Sequence, residues 1–162
     1  MRSHQFGISY IFKNKMKKLI LTAFVLLGFI TILQAQKKLT IGKKTGGGIV
    51  FNVTPDGLHG LIVETQDQGT CNWNQAPALI ANPVNHSPKG KAYTDWRLPN
   101  MEEIYQLYKQ RKIVGGLTNY YYWSSTENSK DKAQVWNKSF TSGGEMANAK
   151  CAIKYVRAIR NF

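Results

Sequence analysis

Several residue groups in this 162-residue chain have the types that chemistry requires. Ser124-Ser125-Thr126 offers hydroxyl nucleophiles, which need a base beside them. No His–Asp pair stands near, so nucleophilic catalysis has no support in the pattern. Glu102-Glu103 is a paired carboxylate, but a position at a helix start accounts for both residues. His59 and His86 are solitary, with no second ligand at zinc spacing. Gly46-Gly47-Gly48 resembles a phosphate-cradling loop only in its glycines. A β-branched, alternating run follows it, with no Lys-Ser/Thr, so a tight turn before a strand is the better reading. The pattern therefore assigns no catalytic residue, metal ligand or cofactor.

Other groups suit binding. Tyr120-Tyr121-Tyr122-Trp123 is an aromatic strand, with Tyr121 and Trp123 on one face and Tyr120 and Tyr122 on the other. One face belongs to the core, and the other can stack on sugar rings. Trp136 and Lys138 lie on a following strand, so the candidate ligand-binding set is Tyr121, Trp123, Trp136 and Lys138. Arg97 suits a carboxylate or sulfate, although an Arg between core residues more often bonds buried carbonyls or an acid such as Asp95. Cys71 and Cys151 are the two cysteines. In an oxidising compartment they form one disulfide, with two separate buried thiols as the alternative.

The elements that position these residues are centred on 94–112. Pro99 keeps Leu98 extended, Asn100 is an N-cap, and Glu103 completes a capping box. Met101, Ile104, Leu107 and Tyr108 give one apolar face, predicting a helix over about 100–112 that Gly115-Gly116 stops. Ile49–Val53 and Leu58–Glu64 read as a hairpin around the turn Thr54-Pro55-Asp56-Gly57. A short helix fits 73–81 with Pro77 in its first turn. Further strands fit 120–126, 134–140 and 153–159. The expected class is α+β, with short, mostly antiparallel strands and one well-capped helix.

Residues 1–35 have the layout of a secretory leader. Lys17-Lys18 precede an apolar run from Leu19 to Leu33, and Ala35 stands at the cleavage position. An uncleaved anchor is the rival reading, and Met16 is a plausible start. The expected organisation is a leader at 1–35, a basic lead-in at 36–45 and one domain at 46–162. The whole chain carries 22 Lys+Arg against 9 Asp+Glu, a net +13. Cleavage removes five basic residues and no acidic one, leaving +8. An exported protein of that charge suits anionic polysaccharides or envelope surfaces, and nucleic acid is a poor partner for it. The expected location is the periplasm, the cell surface or the medium.

Seven short segments, in order, resemble one family. They are Ile41-Gly42, Gly47-Gly48-Ile49-Val50-Phe51, Leu58-His59-Gly60-Leu61, Asp67-Gln68-Gly69, Asp95-Trp96-Arg97-Leu98-Pro99, Tyr122-Trp123-Ser124-Ser125-Thr126-Glu127 and Val156-Arg157-Ala158-Ile159-Arg160. The family is the C-terminal domain of Lcl, a collagen-like adhesin, and the resemblance spans about residues 40–162. It implies a C-type-lectin-like fold, shared with formylglycine-generating enzymes, and in some relatives adhesion to sulfated glycans. The collagen-like repeats of those adhesins are absent here. Asp95 to Pro99 and Arg157 are read as structural motif residues. Three functions stay open: a non-catalytic binding module for anionic or sulfated glycans or the envelope, a structural protein of the cell surface, and an oxidase related to the formylglycine-generating group. The oxidase reading requires Cys71 and Cys151 to meet in space.

Overall fold

Two glycines with left-handed backbones open the fold. Gly46 (φ 55°) and Gly47 (φ 81°) form a two-residue turn between β1 (Lys44–Thr45) and β2 (Gly48–Val53). Both central residues need positive φ in the turn that matches strand twist, which only glycine adopts freely. The computed structural model describes residues 16–17 and 38–162. Apart from Met16 and Lys17, the expected leader lies outside the described residues. Part of the basic lead-in is structural, since β1 pairs with β2.

Next comes β3 (Gly60–Glu64), reached through the turn at 54–57, where the Gly57 amide donates to the Thr54 carbonyl at 2.8 Å. The chain then leaves this sheet for β4 (Gly69–Cys71) and α1 (Ala76–Ala81), which has Pro77 in its first turn as expected. A loop leads to α2 (Met101–Lys109) and the single turn α3 (Arg111–Val114). The remaining strands are β5 (Tyr121–Glu127), β6 (Gln134–Ser139), β7 (Glu145–Ala149), β8 (Lys154–Val156) and β9 (Ile159–Asn161). They form a four-stranded sheet ordered β1-β2-β3-β9 and a five-stranded sheet ordered β4-β8-β5-β6-β7. All pairings of named strands are antiparallel except β5 with β8. The class is α+β, as the pattern predicts.

The helix matches its sequence signals closely. Asn100 accepts from the Glu103 amide at 2.9 Å, and Glu103 accepts from the Asn100 amide at 2.8 Å, so the capping box is complete. Ile104 and Leu107 are buried, as their spacing requires. The helix is shorter than expected, because Gln110 breaks it before α3.

Three strand expectations are corrected. The closing run 153–159 is two strands, with Arg157-Ala158 carrying the chain from one sheet to the other. The edge strand β7 was not expected, because Glu-Met-Ala-Asn-Ala has weak β preference and no alternation. Its register is supplied by β6. The alternation in β5 also fails, with Tyr122, Trp123 and Ser124 all buried. Tyr122 packs with Phe51, Ile104 and Phe140, whereas Trp123 packs with Val50, Trp96 and Val135. Both faces of β5 are therefore covered, so neither is free by default.

Asn100→Ala is expected to destabilise the domain by about 1 kcal/mol through loss of the cap. Trp96→Ala, which empties a core position, should cost about 3–5 kcal/mol. Chemical denaturation midpoints measure both, and equal effects would contradict this placement.

Candidate functional site

The residues first considered for binding divide by burial. Trp123 is fully buried, and its indole N–H donates to the Cys71 carbonyl at 3.0 Å. Lys138 is also buried. Its ammonium donates to the Gly143 carbonyl at 2.8 Å and to Glu145 at 2.9 Å, and it lies 4.9 Å from the Tyr105 ring centroid. Neither side chain can meet a ligand, which corrects their place in the candidate set. Cross-strand pairing is the reason: β6 lies between β5 and β7, and α2 packs against it.

Tyr121 and Trp136 are half-buried and remain accessible. Lys154 lies over the Tyr121 ring, its Nζ 4.9 Å from the centroid. On the opposite face of the sheet, where Tyr122 points, Tyr120 is 61% exposed and stacks on the half-buried Tyr155 with centroids 5.5 Å apart and planes 17° from parallel. At the other end of β5, Lys150 stands 4.7 Å from the Trp73 centroid and pairs with Glu127 at 2.5 Å. Lys154 and Tyr120 were missed in the sequence. Lys154 is one residue of a strand boundary that was drawn too long, and Tyr120 looked equivalent to Tyr122.

The motif residues hold the fold. Trp96 and Leu98 enter one core cluster, and Trp96 Nε1 donates to the Gly90 carbonyl at 2.9 Å. Arg97 does not meet Asp95. Its guanidinium grips Glu103 with two bonds, at 2.8 and 2.6 Å, and so fixes the capping box. Asp95 instead accepts from Arg160 Nε at 2.7 Å. Pro99 offers its carbonyl to the Ser125 amide at 2.8 Å. The hydroxyls have local duties: Ser124 Oγ donates to the Trp136 carbonyl at 2.6 Å, and Thr126 Oγ1 accepts from the Met101 amide at 3.1 Å.

A second buried ionic group escaped notice in the sequence. Glu64, at the end of β3, accepts from His86 Nδ1 at 3.0 Å, the Ser87 amide at 3.1 Å and the Thr65 amide at 2.6 Å. His86 Nε2 lies 2.6 Å from the Ile80 carbonyl. Both ring nitrogens are thus engaged, one by the carboxylate and one by the carbonyl. Burial pushes the Glu64 carboxyl up, but hydrogen bonds from Ser87, Thr65 and His86 more than offset it and hold it below its usual range. Ser87 therefore hydrogen-bonds the carboxylate, not the imidazole, and no Ser–His relay exists here. With His86 committed on both nitrogens, nothing is left on the ring to bind a metal.

The two thiols are unbridged. Cys71 is buried in β4 and Cys151 is exposed, so the expected disulfide is not formed in this structure. The segments around them do come together, since Cys71 is in register with Lys154, just past the turn that holds Cys151, and the Trp73 amide donates to the Lys150 carbonyl at 3.0 Å. Burial pushes the Cys71 thiol up, which disfavours the thiolate that sulfur chemistry needs.

Two outcomes follow from this arrangement. Glu64, Asp95 and Glu103 are each more acidic folded than unfolded. Their stabilisation is therefore fully present above the unfolded value of about 4.3 and is lost as pH falls through the folded values. Glu64→Gln should cost about 3 kcal/mol at pH 7, since it removes the buried carboxylate that accepts from His86, Ser87 and Thr65, and should flatten the acid limb of a denaturation profile. In reduced, native protein a maleimide should label Cys151 promptly and Cys71 only after unfolding, read by mass spectrometry.

No curated protein matches the chain. The model of the Lcl C-terminal domain matches residues 52–160, two thirds of the sequence, and covers the end of β2, all of β3 to β8 and most of β9. The chain belongs to the Lcl C-terminal domain family.

Proposed function

We propose that the protein is an exported, non-catalytic module, C-type-lectin-like in architecture, that binds anionic or sulfated glycans or an envelope surface bearing them. The observation that supports this most is the cation laid over an accessible ring at Lys154 and Tyr121, with the stacked pair of Tyr120 and Tyr155 as a further aromatic contact on the opposite face of the sheet. A sugar ring stacks on tyrosine through its apolar face, while an ammonium close by attracts a sulfate or carboxylate. Lys154 makes no ion pair among the described residues, so its charge is available. The net positive charge of the chain adds long-range attraction. Each exposed contact is weak, so affinity arises from several sites on one polymer.

The test is a titration with a sulfated and a neutral polysaccharide of equal length. The sulfated polymer should bind, and raising salt to 1 M, where the screening length is about 3 Å, should abolish it. Lys154→Glu and Tyr120→Ala should each weaken binding several-fold without changing the denaturation midpoint. Equal, salt-insensitive binding of both polymers would remove the mechanism.

A further inference from the structure

Apart from the tyrosine surface, the β1–β2 hairpin and the segment 87–93 enclose a groove of about 730 Å³, a size that holds a small ligand. We propose that this groove is a binding site for a small ring-bearing carboxylate, separate from and not dependent on polymer binding at Tyr120, Tyr121 and Lys154.

The argument rests on what lines it. Lys44 and Lys89 stand at the groove with no acidic partner among the described residues. The Gly47 amide, at a buried residue of the wall, has no hydrogen-bond partner among them either. A donor so placed is costly unless a ligand or water accepts from it. No acidic side chain lines the groove. Beneath it Glu64 is fully buried, with its oxygens taken up by His86, Ser87 and Thr65, and Asp95 is held by Arg160. The groove is thus donor-rich and lacks an exposed acid.

A ring is indicated by the opposite wall. Tyr93, 37% exposed, has the Arg160 guanidinium 4.2 Å from its centroid. Arg160 is itself held by Asp95 and the Gly46 carbonyl, so the tyrosine is backed by a fixed cation. Such a ring offers a flat partner a stacking surface, while Arg160 adds positive potential that favours an anion. The wall is also held close: a Cβ on Gly47 would lie 2.8 Å from the Tyr93 ring, and one on Gly90 would lie 1.9 Å from the Glu64 carboxylate. Those contacts fix the hairpin against the loop, so the groove is shaped before a ligand arrives.

Sugar acids and aromatic acids share this chemistry, and the experiment separates them. Full-length protein labelled with ¹⁵N is titrated with glucuronate, benzoate, glucose, benzamide and acetate. Saturable shifts at the Gly46, Gly47 and Lys89 amides are expected with glucuronate or benzoate, whichever is the better fit. The two neutral compounds and ringless acetate should bind at least ten-fold more weakly. The double variant Lys44→Ala/Lys89→Ala, both exposed, should fold normally and lose at least ten-fold in affinity. Lys154→Glu should leave these shifts unchanged, which separates this site from the polymer surface. Shifts that miss the groove, equal binding of neutral compounds, or an unaltered double variant would each overturn the proposal.

Discussion

The buried guanidinium of Arg157 ties the two sheets together. It stands in the two-residue link where the chain passes from β8 to β9, and donates to Asp67 Oδ1 at 2.7 Å, to the Glu64 carbonyl at 2.8 Å and to the Gly116 carbonyl. Glu64 and Asp67 belong to the opposite crossing, where β3 leaves one sheet for β4 in the other. Gly116 follows the last helical turn. One side chain therefore fixes both sheet changes and the return from the helices. The Tyr122 hydroxyl joins the same network by donating to Asp67 at 3.0 Å, and burial, foremost, pushes its pKa up to about 12. A buried cation is tolerable only when its donors are satisfied, and here every partner comes from a segment that must be brought there by folding.

The same requirement decides which charges face outward. Arg97, Lys138, Arg157 and Arg160 are spent on internal partners: Glu103, Glu145, Asp67 and Asp95. These four take nearly half of the 9 Asp+Glu in the chain. Among the described lysines that make no ion pair, Lys44 and Lys89 lie at the groove by the hairpin and Lys154 lies over Tyr121.

Local signals were legible wherever a short stretch contained its own reason. The capping box needs only Asn100 and Glu103, three residues apart, and the glycine turn needs only two residues with positive φ. Trp96 and Leu98 were legible as core because both flank one Arg in an extended run. The candidate site was legible only in part. Tyr121 and Trp136 stay accessible, whereas Trp123 and Lys138 are covered by neighbouring elements.

By itself, then, the sequence determined the α+β class, the helix and its cap, the hairpin, and the family to which seven ordered segments point. Each of these depends on spacing along the chain or on residue type. Only the tertiary structure decided that both faces of the aromatic strand are covered, where the strand at 153–159 breaks, and that Glu64 and His86, 22 residues apart, form a buried pair. These depend on partners distant in sequence. A strand covered on both faces has no alternation to read, and an ion pair across a fold leaves no periodic trace.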